Sequence, residues 1–503
     1  MPLNADTVQL GPWRTVRYDL PGEECAHDEL SDMQNARIGV SGQCEPRPGS
    51  LTYKAEAAIS GTPTFTLVVE FKPDATTTHV VIAAGAVLYK YDSGWTDITG
   101  GLTMTAGDDN TWEWADANGT LVLTNGVDTN AIKWTGSGNA TALDDDARFS
   151  KGKHIAWFDN RLWIGNVNGA TGQLWYSDTA AIETWGATSF FNFGGIINGL
   201  VPTQNALTVH TTDGIYTLIA TGNAVNLYHP TQRTGADQVS PLAALDGQSI
   251  VAVPGDKQLM VLKDGIYEWD GGAQIEKISH DLDDGYWDNL NTSRLKEAFA
   301  LRFPRENEVW FGLPNGGSQT NMNNVVVWNY KRRSWHGPYE GFTRNVAGLI
   351  DNKPHLGGFD GILYDHDTGD DDSGAAIDSF FETGAPAPYG PAVKVRWLNA
   401  RHFYDGKGDY NVTAIQLSAD LTGSSSAVSM KGDGFQLDVD LLDSNTFLTP
   451  VSQLSQDVPL LGFAPTTSIK IAQNAADQSY RYWKIIARYK PLGLFTKPKP
   501  VDT

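Results

Sequence analysis

A short phrase recurs along the chain: Asp213-Gly214-Ile215-Tyr216, Asp264-Gly265-Ile266-Tyr267 and Asp360-Gly361-Ile362-Leu363. The first two copies begin 51 residues apart and the next step is 96, or two intervals of about 48. Repetition at that length marks one small sheet built again and again. A single repeat cannot bury its own apolar face, so it must stack on neighbours. The chain is therefore read as all-β, and a β-propeller of four-stranded blades is the expected architecture.

The segments between the copies share one grammar. An apolar strand meets a turn of Gly, Asn or Asp, and a second strand then ends in an aromatic residue. Examples are 79–99 (HVVIAAGAVLYKYDSGWTDIT), 119–134 with its Asn125-Gly126 turn, 158–177, 206–218, 249–269, 308–330 and 346–365. Their terminal aromatics are Tyr89, Trp134, Trp175, Tyr216, Tyr267, Trp328 and Tyr364. Seven units can be counted, but the first can instead supply strands that close the ring. Six blades are expected, with five or seven as alternatives. A many-hairpin sandwich satisfies the same alternation but leaves the recurring phrase unexplained.

Three regions follow. Residues 1–50 read as an N-terminal arm with one short helix over 23–35, and 51–375 as the propeller. A linker-like stretch at 384–391 leads into a C-terminal β-sandwich-like domain, 376–503, with a basic proline-lysine tail. The opening residues show no signal-peptide pattern, and no apolar run reaches the roughly 20 residues of a membrane span. Cys25 and Cys44 are the only cysteines, too few for a disulfide framework.

The net charge of −22 is unevenly placed. Residues 376–503 hold 12 basic and 12 acidic side chains, so the first 375 residues carry all of it. That sign excludes an ordinary nucleic-acid binder and suits a surface that must not adsorb a polyanion.

Candidate chemistry is sparse. Residues 365–373 place carboxylates at alternate positions, including Asp365 and Asp372, as calcium loops do. They lack the glycine and terminal Glu of an EF-hand, so a solvated turn is the simpler reading, as it is for Asp144-Asp145-Asp146. Arg332-Arg333 could grip phosphate or form a charged turn between Trp328 and Trp335. No zinc pair, nucleophile elbow or phosphate loop occurs. Ser177-Asp178 followed by Trp185 matches a sialidase box poorly. Trp95, Trp112 and Trp114 could stack sugars, which keeps a glycan-binding or glycan-cleaving propeller as the alternative. No residue is nominated as catalytic, and no metal or cofactor is expected.

Four features carry a family resemblance. They are Gly11-Pro12-Trp13 … Asp19-Leu20-Pro21 … Met33-Gln34-Asn35-Ala36-Arg37 … Arg47-Pro48-Gly49; residues 235–242 (GADQVSPL) with Asp264-Gly265-Ile266-Tyr267-Glu268-Trp269-Asp270-Gly271; Val326-Val327-Trp328-Asn329-Tyr330 … Trp335; and the β domain after the propeller. Together they resemble the tail nozzle or stem proteins of short-tailed bacteriophages, also called packaged-DNA stabilisation proteins. The resemblance implies a structural virion protein of the tail, assembled in the host cytoplasm and not an enzyme. It implies a homo-oligomeric, hexameric ring below the portal and its adaptor, with fibres or spikes outside and viral DNA passing through without sequence-specific contact. Such a protein extends the channel, retains packaged DNA and guides its ejection. Lys484, Arg488, Lys490, Lys497 and Lys499 are then the candidate partner contacts.

Overall fold

The computed structural model describes residues 6–143, 147–223, 227–235, 247–390, 393–407, 410–417, 428–432, 454–475 and 479–491. Packing divides the chain into two units. One is Leu51–Arg333 with Gly341–Asp367. The other is Met1–Ser50, Ser334–Glu340 and Thr368–Thr503.

The first unit is a propeller of seven antiparallel meanders. Their first strands are Phe65–Phe71, Glu113–Asp116, His154–Phe158, Ile197–Pro202, Ile250–Val253, Phe299–Phe303 and Arg344–Ile350. We number the blades 1 to 7 in that order. All seven aromatics picked out by the sequence grammar sit on third strands, for example Trp134 in Ile132–Trp134 and Tyr267 in Gly265–Trp269. The expected count of six is thus corrected to seven. Residues 64–99 are a complete blade, and closure falls instead to Ser50–Thr52, the fourth strand of the last sheet.

Both faces of each blade press on neighbours, which explains why many strands read as continuous apolar runs. Leu67, Val69 and Phe71 face blade 2, where they meet Leu121, Leu123 and Trp134. Val68 points the other way, onto Val346, Ile350 and Leu363 of blade 7. Alternation along the strand therefore sends side chains into two different cores. Each fully buried aliphatic side chain contributes about 1.5–3 kcal/mol.

The recurring phrase is the turn into the third strand, and in the first and third copies its glycine is needed for space. A Cβ on Gly214 would fall on the Thr234 carbonyl, one on Gly265 on the Lys277 side chain, and one on Gly361 would lie 2.9 Å from Thr62 Cα. The aspartate anchors the aromatic. Tyr267 Oη donates to Asp264 at 3.0 Å, and Tyr364 Oη to Asp360 at 2.6 Å.

The second unit is a β-sandwich. One sheet orders Leu454–Pro459, Val395–Lys407, Ser479–Pro491, Cys44–Pro46 and Ala36–Ile38, with Asp6–Leu10 on Ser479–Pro491 and Phe463–Ala464 on Val395–Lys407. The other orders Thr15–Val16, Glu29–Gln34, Ser379–Thr383, Ser468–Gln473, Tyr410–Leu417 and Val428–Gly432. Phe381 joins their inner faces, 5.0 Å from Trp13 and 5.6 Å from Tyr482 between ring centres.

Two expectations change here. Residues 1–50 are not a separate irregular arm; they are strands of this sandwich, and the propeller ends at Asp367 without 334–340. The helix expected over 23–35 is replaced by the strand Glu29–Gln34, which buries Leu30 and Met33. That spacing of three suits a helix turn, but a register shift between Leu30 and Asp32 brings both inward from a strand.

Arg47 is the sandwich's polar hub, with its side chain 2% exposed. It grips both oxygens of Asp372 at 3.0 and 2.5 Å and donates to Asn35 Oδ1 at 2.9 Å and the Glu340 carbonyl at 3.2 Å. Replacing Arg47 by Ala is expected to cost about 3–5 kcal/mol, because Asp372 and Asn35 lose a buried partner. Asp372→Asn keeps part of the hydrogen bonding and is expected to cost less. Denaturant unfolding of the two variants gives the ranking.

Candidate functional site

The innermost strands of all seven blades enclose an axial cavity of about 470 Å3. Its wall includes Trp112, Glu113, Trp114, Asp116, Trp157, Pro202, Gln248, Phe299 and Ala347. Alternation sorts the blade 2 strand. Trp112 is 2% exposed in the core against blade 1, while Glu113 turns toward blade 3. There Glu113 Oε1 lies 2.8 Å from His154 Nδ1, and its Oε2 accepts from the Ile155 amide at 3.2 Å. A Cβ on Gly247 would strike Glu113 Oε1, so only glycine fits beside this pair.

Of the three candidate sugar-stacking tryptophans, Trp114 alone is open, at 44% exposure. Trp112 is core. Trp95 packs edge-on to Tyr91, with centroids 5.2 Å apart.

A second buried polar group lies deeper in the propeller. His210 Nε2 is 2.6 Å from Gln258 Oε1, and Gln258 donates to Thr208 at 2.9 Å. Burial pulls the His210 ring down to about 4, against the raising effect of Gln258. In the sandwich, burial likewise holds His402 at about 4. Asp32 moves the other way, up to about 6, through burial and then the Glu382 carboxylate opposite it in the register. Burial also raises both thiols; Cys25 and Cys44 are free, and this removes them as nucleophiles at neutral pH.

The acidic turn at 365–373 has internal partners. Asp372 is held by Arg47 and by Ser50 Oγ at 2.8 Å, Asp371 accepts from the Gly374 amide at 2.7 Å, and Asp367 lies 3.4 Å from Arg305. Among the described residues no His, Cys, Asp and Glu cluster has metal-holding geometry. Asp144-Asp145-Asp146 lie outside the described residues. Arg333 is a clamp between blades, 3.0 Å from Glu268 and 3.1 Å from Glu276, so its charge is already engaged.

Lys484, Arg488 and Lys490 occupy one face of the strand Ser479–Pro491, alternating with buried Ile485, Ala487 and Tyr489. Lys497 and Lys499 lie outside the described residues. Register places further cations beside the first three. Arg396 sits opposite Lys490, and Arg401 opposite Ile486 on the same face. Asp457 answers Arg401 with two contacts of 2.8 Å. Arg396 and Arg401 were missed because strand pairing at such separation leaves no local trace. The alternation of Arg396 with buried Val395 and Trp397 was the available signal.

No protein-family model matches the chain, and no curated protein matches it. Several solved structures are similar in part. The extracellular domain of a putative one-component system from B. thetaiotaomicron superposes with TM-score 0.44 at 9% identity, covering 86% of this chain and 59% of that one. A catalytically inactive virginiamycin B lyase from Staphylococcus aureus gives 0.39 at 8%, covering 63% and 98%. BamB from Moraxella catarrhalis gives 0.36 at 12%, covering 72% and 99%. The chain thus spans 59% of the length of the first of these. At such scores none of them says what this chain does.

The histidines make stability pH-dependent. His210 and His402 stay neutral in the fold down to about pH 4. The unfolded chain takes up these protons below about pH 6.5. Stability present above pH 6.5 is therefore lost as pH falls toward 4, by up to about 3 kcal/mol per ring. Thermal unfolding at pH 7 and 4.5 reads this, and His402→Leu is expected to flatten the sandwich's share. Asp32→Asn is expected to stabilise at pH 7 by about 1–2 kcal/mol, since it removes a carboxylate that burial penalises.

Proposed function

We propose that the chain is a structural, non-catalytic component of a bacteriophage tail, a nozzle subunit working as a homo-oligomeric ring. The observation that carries this reading is a cationic face on an otherwise acidic chain. The propeller unit holds 35 Asp and Glu against 21 Lys and Arg, and the sandwich unit 24 against 16. Arg396, Arg401, Lys484, Arg488 and Lys490 instead gather on one face of the sandwich sheet. An acidic surface lets a phosphate polymer slide without being held, and a cationic face suits docking to an acidic neighbour. The residues of the resemblance have structural work in this fold. Trp13 and Met33 are core, while Asn35 and Arg47 form the polar hub.

The axial cavity of one propeller is far too small for a duplex. In this reading DNA passes between copies, and portal, adaptor and fibres contact the ring from outside. A glycan-binding propeller is the second reading, and Trp114 in the axial cavity is the observation that favours it.

Imaging of the purified protein, alone and with its head-to-tail connector, tests the proposal. A ring that joins the connector is expected. Charge reversal at Lys484, Arg488 and Lys490 is expected to abolish joining while leaving the melting temperature within a few degrees of wild type. A monomer that ignores the connector and cleaves polysaccharide overturns the reading.

A further inference from the structure

The axial cavity has a lining that support of the fold does not require. Its wall carries three indoles, the buried Trp112 with Trp114 and Trp157, and two carboxylates, Glu113 and Asp116, and its lining holds no Lys, Arg or His. Trp114 and Asp116 stand two residues apart on the strand Glu113–Asp116 and therefore face the same side of it. Trp114 is the one exposed tryptophan among the described residues. An indole left in water forgoes the burial that the other tryptophans gain.

The two carboxylates differ. Glu113 is engaged by His154 and the Ile155 amide. Asp116 accepts one hydrogen bond, from the Gly119 amide to Oδ1 at 2.8 Å, and its Oδ2 has no partner among the described residues. The cavity thus combines electron-rich ring faces with one uncompensated negative charge. An anion is repelled by both. A neutral sugar stacks on the ring and donates a hydroxyl to the carboxylate, but leaves the negative charge uncompensated. A cation is attracted by ring and carboxylate together. The volume of about 470 Å3 lies within the range of small-molecule sites.

We propose that this cavity binds a small organic cation, an ammonium or guanidinium on a short apolar body. The charged group is held by Trp114 and Asp116, and Trp157 of blade 3 contributes a second aromatic wall. The site belongs to a single propeller and does not depend on the virion reading.

Choline and agmatine serve as probes and cellobiose as the neutral control. Binding to the full chain is followed by calorimetry and by indole fluorescence. At least one cationic probe is expected to bind saturably, one per chain. Trp114→Ala and Asp116→Asn are each expected to weaken it at least tenfold with little change in melting temperature, since both side chains are exposed. Three results overturn the proposal: neither cation binds saturably, binding survives both substitutions, or cellobiose binds as tightly and is indifferent to Asp116→Asn.

Discussion

The propeller depends on one closure, where its first and last blades meet. Asn345 donates from one amide nitrogen to the Phe65 carbonyl at 2.8 Å and to the Asp108 carbonyl at 2.9 Å, the former across 280 residues of sequence. Gly348 passes so near the Val68 carbonyl that a Cβ would collide with it. Val68, Val80 and Ile82 then pack on Val346, Ile350 and Leu363. Each blade is apolar on both faces, so an open ring leaves two faces wet. Closure is what turns seven marginal sheets into one core.

Much of this was legible because the repeat has a steric cause. Asp-Gly-Ile recurs at this turn, where only glycine clears nearby backbone at 214 and 361, and where Tyr267 and Tyr364 reach back to the aspartate. The third-strand aromatics gave the blade rhythm correctly. The count slipped because closure is made by only three residues, Ser50–Thr52, too short a strand to show any period. The strands of residues 1–50 were hidden for the same reason. They are two to six residues long, and Asp6–Leu10, Glu29–Gln34 and Cys44–Pro46 each pair with a strand hundreds of positions away.

The sites divide along the same line. Lys484, Arg488 and Lys490 alternate on one strand, so their shared face could be read locally. Arg396 and Arg401 join them through register alone. Trp114 was singled out beside Trp112, yet only the fold separates the exposed ring from the buried one. His154 and Glu113 come from different blades and carry no sequence signature as a pair. Closing the ring fixes seven strand edges around one axis, which makes a small cavity inside the propeller.

The account rests on the ring being closed between blades 1 and 7, and hydrogen exchange on Gly348→Ala addresses that directly. The added methyl group displaces the Val68 carbonyl. Exchange is expected to accelerate together in Arg344–Ile350 and in Phe65–Phe71, with blades 3 and 4 unchanged. Acceleration confined to Arg344–Ile350, with Phe65–Phe71 as protected as before, would contradict it.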